Sequence, residues 1–341
     1  MGRVWAAEVD DLGYDRPLSD GGLKKSRNGG NGKFDVYLAD VGAEGVYGYC
    51  AADFALRQEP TRAGGYCVLD NDFSSEQFQG KPAKTLAVTA AHEFFHAVQF
   101  GYDLYEDRWF LESTATWVEE RFADGVNDNR QYLRYGQVGA PGTPLDRFDR
   151  SGFTHYGNWP FWEHLSLRYG DKIVRRVWEA ARGEVYSTRA LERVLERRGG
   201  FAKRYAEFAA ANLTPSRSYP EGEHWPTQRL EGSWTLGRSG ARSDDVDIDH
   251  MAAASYLFTP DTTVSQDGLA GAPYRLRITI DGPRPVSAPT AWLVVRTVEG
   301  EWRSEQVVLD DSAAATVTTP FTTEKVRAVS VTLVNASTRF R

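Results

Sequence analysis

The period of the hydrophobic positions changes twice along the chain. Val4, Trp5, Val9 and Leu12 fall on one face of a short helix closed by Gly13, and its start so near residue 1 predicts native sequence upstream. Residues 20–33 (DGGLKKSRNGGNGK) read as a loop, and their Gly steps lack a phosphate-loop pattern. Apolar and polar positions then alternate over 34–39, and 45–51 and 65–69 are further strand candidates, the last closed by Asp70, Asn71 and Asp72. From Thr85 the period lengthens. A helix to about residue 100 is apolar nearly all round (Leu86, Val88, Phe94, Phe95, Val98, Phe100), which predicts burial at the centre of a domain. Helical spacing returns over 111–122, 161–169, 171–182, 189–198 and 201–212. Strands first and helices after predict an α+β domain.

The second change comes after a stretch over 214–242 rich in Pro, Ser, Gly and charge, which reads as a linker. From about residue 251 the chain alternates in short runs (SYLFT, YRLRITI, TAWLVVRTV, EQVVLD, AATVTT, AVSVTLVNA). Pro260-Asp261, Asp281-Gly282-Pro283 and Asp310-Asp311 separate them, and this turn frequency predicts an antiparallel β-sandwich of about six or seven strands. With 341 residues the chain can bury two cores. The expected division is 1–228 and 229–341. There is no internal repeat and no low-complexity tract.

Charge narrows the partners. A formal net charge of −7 argues against a nucleic-acid surface. Arg175, Arg176, Arg193, Arg197 and Arg198 are interleaved with Glu179, Glu192 and Glu196, the pattern of solvated helix faces. No apolar run has the length of a bilayer span, and no signal peptide is visible after Met1. The chain is then either cytosolic or a mature or trimmed part of an exported protein. Cys50 and Cys67 each follow a tyrosine in a short aromatic segment. Such a pair could close a disulfide, which points to an oxidising compartment, or could be two buried thiols.

The chemistry concentrates in TAAHEFFHAVQFGYDLYEDRWFLESTATWVEE, residues 89–120. His92 and His96 are one helical turn apart on one face, so both imidazoles can reach one point, the spacing of a zinc site with two ligands on a helix. Glu93 directly follows the first histidine, where its carboxylate can serve a metal-held water as general base. Two hydrogen-bonded buried histidines are the plainer account. Of the acidic residues downstream, Asp103, Glu106 and Asp107 lie in a turn that positions them loosely. Glu112 follows Trp109, Phe110 and Leu111 as a lone carboxylate in an apolar helix start, and a buried carboxylate needs a countercharge such as Zn²⁺. Glu112 is the expected third ligand and Glu119, two turns on, the fallback; Glu120 reads as solvated surface.

These motifs resemble the gluzincins, the zinc peptidases whose third ligand is a glutamate on a helix after HExxH. WFLESTATWVEE is similar to the W-L-x-E-G segment of the aminopeptidases related to leukotriene hydrolase, which places their glutamate on Glu112. The interval from His96 to Glu112 is shorter than in those families, so the turn must be tighter. Thermolysin-like enzymes carry a supporting aspartate four residues after the glutamate. Thr116 stands there, and its hydroxyl is expected to orient a histidine. HEFFHAVQFGYD with WFLESTATWVEE more closely resembles a group of exported bacterial metallopeptidases, over residues 34 to about 226. The resemblance implies a secreted or cell-surface zinc peptidase acting on a peptide or protein. HYGNWPFWEHLSLRYG resembles the aminopeptidase segment that follows the zinc helices, which implies Tyr156 as the phenolic donor to the oxyanion, with His155 as the alternative. Either could instead be a packing residue at a loop–helix junction. His164, His224 and His250 read as structural or surface residues.

In zincins an edge strand before the zinc helix pairs with the substrate backbone, and the strand around 66–70 stands in that place. The acidic stretches 70–72 and 124–129 could hold Ca²⁺ but lack its ligand spacing and read as turns. The rival functions are an exported adhesion or carbohydrate-binding protein with an idle zincin domain, and a zinc hydrolase of non-peptide substrates. The pattern leaves the oligomeric state open.

Overall fold

The computed structural model describes residues 1–78, 80–183, 185–265, 273–283 and 288–339. It is a mixed α+β protein whose contacts divide into two compact units: Met1–Leu133 with Phe148–Val194, and Arg134–Arg147 with Leu195–Arg341.

The first unit opens with helix α1 (Gly2–Trp5), which widens into a π-helical turn over Ala6–Asp11. Strands β1 (Val36–Ala39), β2 (Gly48–Ala55) and β3 (Ala63–Asp70) form a sheet in the order β1-β3-β2, with β1 parallel and β2 antiparallel to β3. The strand that sequence placed next to the histidine helix, β3, is therefore central, and β2 is an edge. Cys50 and Cys67 are direct partners in the β2–β3 register and form the disulfide. The Asp70 carboxylate accepts the amides of Gly42 and Phe73 at 2.7 Å, so the 70–72 stretch is a turn tied by its own backbone.

Helix α2 (Pro82–Phe100) packs on β2 and β3, and α3 (Arg108–Ala123) packs on α2. Pro82 sits in the first turn of α2, where its missing N–H costs nothing. The all-round apolar pattern has its expected consequence: Phe94 and Phe95 are fully buried, and Trp5 and Phe34 pack on Phe94. Helices α4 (Trp159–Tyr169), α5 (Lys172–Ala181) and α6 (Ser187–Leu195) follow. Phe110 stacks on Trp178 at 4.1 Å, and Trp109 stacks on Trp162. These stacked rings bury apolar area between α3 and its neighbours α4 and α5.

In the second unit, helix α7 (Phe201–Ala211) precedes strands β4 (Gly232–Leu236), β5 (Ala252–Pro260), β6 (Arg275–Asp281), β7 (Pro289–Thr297), β8 (Trp302–Val307), β9 (Ala314–Pro320) and β10 (Val326–Asn335). They form a five-stranded sheet, β4-β5-β10-β7-β8, and a β6-β9 pair. Within the larger sheet only β4 pairs in parallel, with β5. One hydrophobic core takes Leu276, Ile278 and Ile280 from the pair and Leu293, Val295, Val329 and Val331 from the larger sheet.

The units do not divide near residue 228. Phe201, Tyr205 and Phe208 are buried, and α7 packs against β7 and β10, so this helix belongs with the strands. The stretch read as a linker contains β4. Segment 134–147 also joins this unit. Leu145 N donates to Met251 O (2.9 Å), Ala253 N to Pro141 O (2.8 Å) and the Tyr205 hydroxyl to Gln137 Oε1 (2.7 Å). His250 lies 2.9 Å from both Asp146 and Asp249.

Candidate metal centre

The helical spacing of α2 sets His92 and His96 toward α3; His92 and Glu93 are buried, and the His96 side chain is 13% exposed. Glu112 on α3 meets them. Its Oε2 lies 3.2 Å from His92 Nε2 and 3.5 Å from His96 Nε2. Neighbouring ligands of a tetrahedral zinc, each at about 2.0–2.2 Å, are about 3.3–3.5 Å apart. These three residues supply ligand atoms all within 4.8 Å of one another, so their side chains can hold one ion.

The far side of each imidazole is also engaged. His92 Nδ1 is 2.7 Å from Glu119 Oε1, and His96 Nδ1 is 2.7 Å from Gln99 Oε1. With acceptors at both Nδ1 atoms to take a hydrogen bond from each ring, a bound cation would be met by the two Nε2 atoms and Glu112 Oε2. Glu119, the fallback ligand, thus supports His92 from behind. Thr116 does not orient a histidine, because its hydroxyl donates to the Glu112 carbonyl at 2.9 Å within the helix. Glu120, read as solvated, is buried and accepts the Asn129 side-chain amide at 2.7 Å.

The electrostatics follow from a dense group of acids and bases in a dry place. Burial works against charge on His92, yet hydrogen bonds to Glu112 and Glu119 raise its pKa well above the ordinary imidazole value. Burial likewise works against charge on Glu112, but His96 and His92 hold its carboxyl well below the usual range. Glu119 is pushed up to about 7 by burial, against the pull of His92. Glu93 is raised by burial, with His96 and His92 opposing. Among the described residues no hydrogen bond reaches Glu93 Oε2. A divalent cation among these carboxylates would supply the missing positive charge.

The second wall comes from the segment before α4. The Tyr156 ring lies 5.8 Å from that of His92. Burial, then the neighbouring Glu112 carboxylate, raises the phenol's pKa, so the hydroxyl keeps its proton and remains a donor. Tyr132, which carried no local signal in the sequence, packs on Tyr156 at 5.2 Å and on Phe153 at 5.5 Å. His155 lies beside Tyr156, their rings 4.3 Å apart, within the electrostatic reach of Glu112 and His92. Its ring packs on Phe148 at 4.5 Å, and burial lowers its pKa. Gly48 starts the edge strand against Glu93, where an added Cβ would come within 3.2 Å of Glu93 Cγ.

Comparison with protein-family models, curated proteins and solved structures returns no match.

Two further residues escaped sequence reasoning. Gln99 had a signal, since it stands three residues after His96 on the same helix face. Glu8 had none. It is fully buried on the π-helical turn, and among the described residues neither carboxylate oxygen has a partner. Burial raises its pKa well above the ordinary value, and the charge of His92 works in the opposite direction.

Proposed function

We propose that the chain is a zinc-dependent peptidase of gluzincin type, with His92, His96 and Glu112 as the metal ligands. The observation that carries this reading is the convergence of two Nε2 atoms and one carboxylate oxygen, with both Nδ1 atoms occupied by other acceptors. Zinc bound there would supply a Lewis acid and lower the pKa of water toward neutrality. Glu93 is the general base. Its raised pKa and unpaired Oε2 suit a carboxylate that takes a proton from the attacking water and returns it to the leaving amine. Tyr156 supplies the neutral O–H donor for the charge that develops on the former carbonyl oxygen.

The substrate backbone would lie along the open edge of β2, whose first residue abuts Glu93. The Cys50–Cys67 disulfide supports export to an oxidising compartment, as a secreted or cell-surface protein. Among the described residues no helix is long and apolar enough to cross a membrane. The two sheets of the second unit, which share one core, fit a β-sandwich appended to the catalytic unit.

The test is metal content together with peptide hydrolysis, on the wild type and on Glu93→Gln. About one zinc per chain is expected in both, with turnover reduced by about 10²–10⁴-fold or more in the variant. Turnover retained by Glu93→Gln, or a wild type that cannot be loaded with zinc, would overturn the reading.

A further inference from the structure

His96 and Glu112 belong to different helices, and one side chain outside the ligand set ties them together. Gln99 is fully buried between α2 and α3. Its Oε1 faces His96 Nδ1 at 2.7 Å, while its Nε2 lies 2.8 Å from the Leu111 carbonyl and 3.0 Å from Thr114 Oγ1. A backbone carbonyl can only accept, so the NH₂ group must face Leu111 and the oxygen must face His96. Thr114 completes the arrangement, since its hydroxyl donates to the Phe110 carbonyl at 2.6 Å and is left to accept from Gln99. The amide therefore has one orientation. An acceptor at Nδ1 puts the His96 proton there and leaves Nε2 free to coordinate. Leu111 is the chain neighbour of Glu112, so the same amide anchors the backbone beside the other ligand.

We propose that Gln99 is the positioning residue of this site, fixing His96 in its Nδ1–H tautomer and holding the spacing between His96 and Glu112. The assignment rests on the zinc reading above. A role in packing alone would affect the stability of α2 on α3 without changing how His96 meets a metal.

The experiment uses the full chain, stripped and reloaded, as wild type, Gln99→Met and Gln99→Glu. Methionine keeps the length of the side chain without an acceptor; glutamate keeps an acceptor at His96. In competition with a chromophoric chelator, Gln99→Met should bind zinc about 10–100-fold more weakly, while Gln99→Glu, which keeps the acceptor at His96 but loses the amide donor to Leu111, should be weakened less than Gln99→Met. The cobalt-substituted Gln99→Met protein should also show a shifted visible spectrum. Wild-type zinc affinity in Gln99→Met overturns the assignment, as does equal weakening in both variants. A measurement on the wild type needs no variant to fold: long-range proton–nitrogen spectra of the zinc-loaded protein should place the His96 proton on Nδ1, and a proton on Nε2 overturns the assignment. If the wild type binds no zinc, the zinc reading itself falls and takes this assignment with it.

Discussion

Each histidine of the proposed zinc site has a different kind of partner behind it. His92 is backed by a carboxylate, Glu119, and His96 by an amide, Gln99. A carboxylate raises the basicity of the imidazole it accepts from, which strengthens its bond to a cation. Removing it should therefore be felt at the metal before it is felt in the fold. Glu119→Leu is expected to weaken zinc binding by about 10–100-fold, and Glu119→Gln, which keeps an acceptor oxygen, by less. Chelator competition read beside thermal unfolding of the metal-free protein checks this. Unchanged affinity in Glu119→Leu would show that the contact is only a buried ion pair. Local rules could not assign this role. Glu112 and Glu119 are two turns apart on one helix, and only the placement of α2 decides which reaches Nε2 and which reaches Nδ1.

At the scale of elements, two ties hold the neighbourhood of the ligand helices. The Cys50–Cys67 disulfide closes a loop with a sequence separation of 17 across β2 and β3. In the chain-entropy account a loop of that size is worth about 3 kcal/mol. The other tie joins the turn before α3 to the start of α6. Glu106 Oε1 accepts the amide of Ser187 at 2.9 Å and that of Asp107 at 2.8 Å, and the Ser187 hydroxyl donates to Asp107 at 2.6 Å. Burial nonetheless raises Glu106 to about 8. A carboxyl raised in the folded state contributes stability that is fully present below about pH 4.5 and is lost as pH rises through about 8. Glu106→Gln keeps an acceptor for Ser187 and cannot ionise. Its unfolding free energy relative to wild type should rise between pH 5 and pH 9 by an amount on the order of 4 kcal/mol, read by denaturant unfolding at the two pH values. A difference independent of pH would mean that Glu106 is not held protonated.

For the whole molecule, the division into units sets what can be removed. A chain ending at Gln228 would keep α7 and segment 134–147 but lose β5, β7 and β10, on which they are held. Buried Phe201, Tyr205 and Phe208 would then face water. Such a truncation should be poorly soluble and melt lower than the full chain, as gel filtration and calorimetry would show. A soluble, cooperatively folded product would mean that α7 is stable without its sheet.

The sequence by itself determined the elements and the core of the centre. Alternation placed β1, β2 and β3 and the later strands, except for β4, because each presents a repeating apolar face. Helical spacing alone put His92 and His96 on one side of α2, and the apolar start of α3 singled out Glu112. Tertiary structure decided what depends on contacts between distant segments. It set β2 rather than β3 at the edge, made Glu119 and Gln99 the partners of the two imidazoles, and brought Tyr156 beside His92 and Tyr132 beside Tyr156. It also buried Glu8 and Glu120 and moved α7 and segment 134–147 into the second unit. The physical reason is the range of the forces concerned. Periodicity records which face of an element must leave water, but the choice of partner across that face belongs to packing, where hydrogen bonds and charges are settled between residues far apart in the chain.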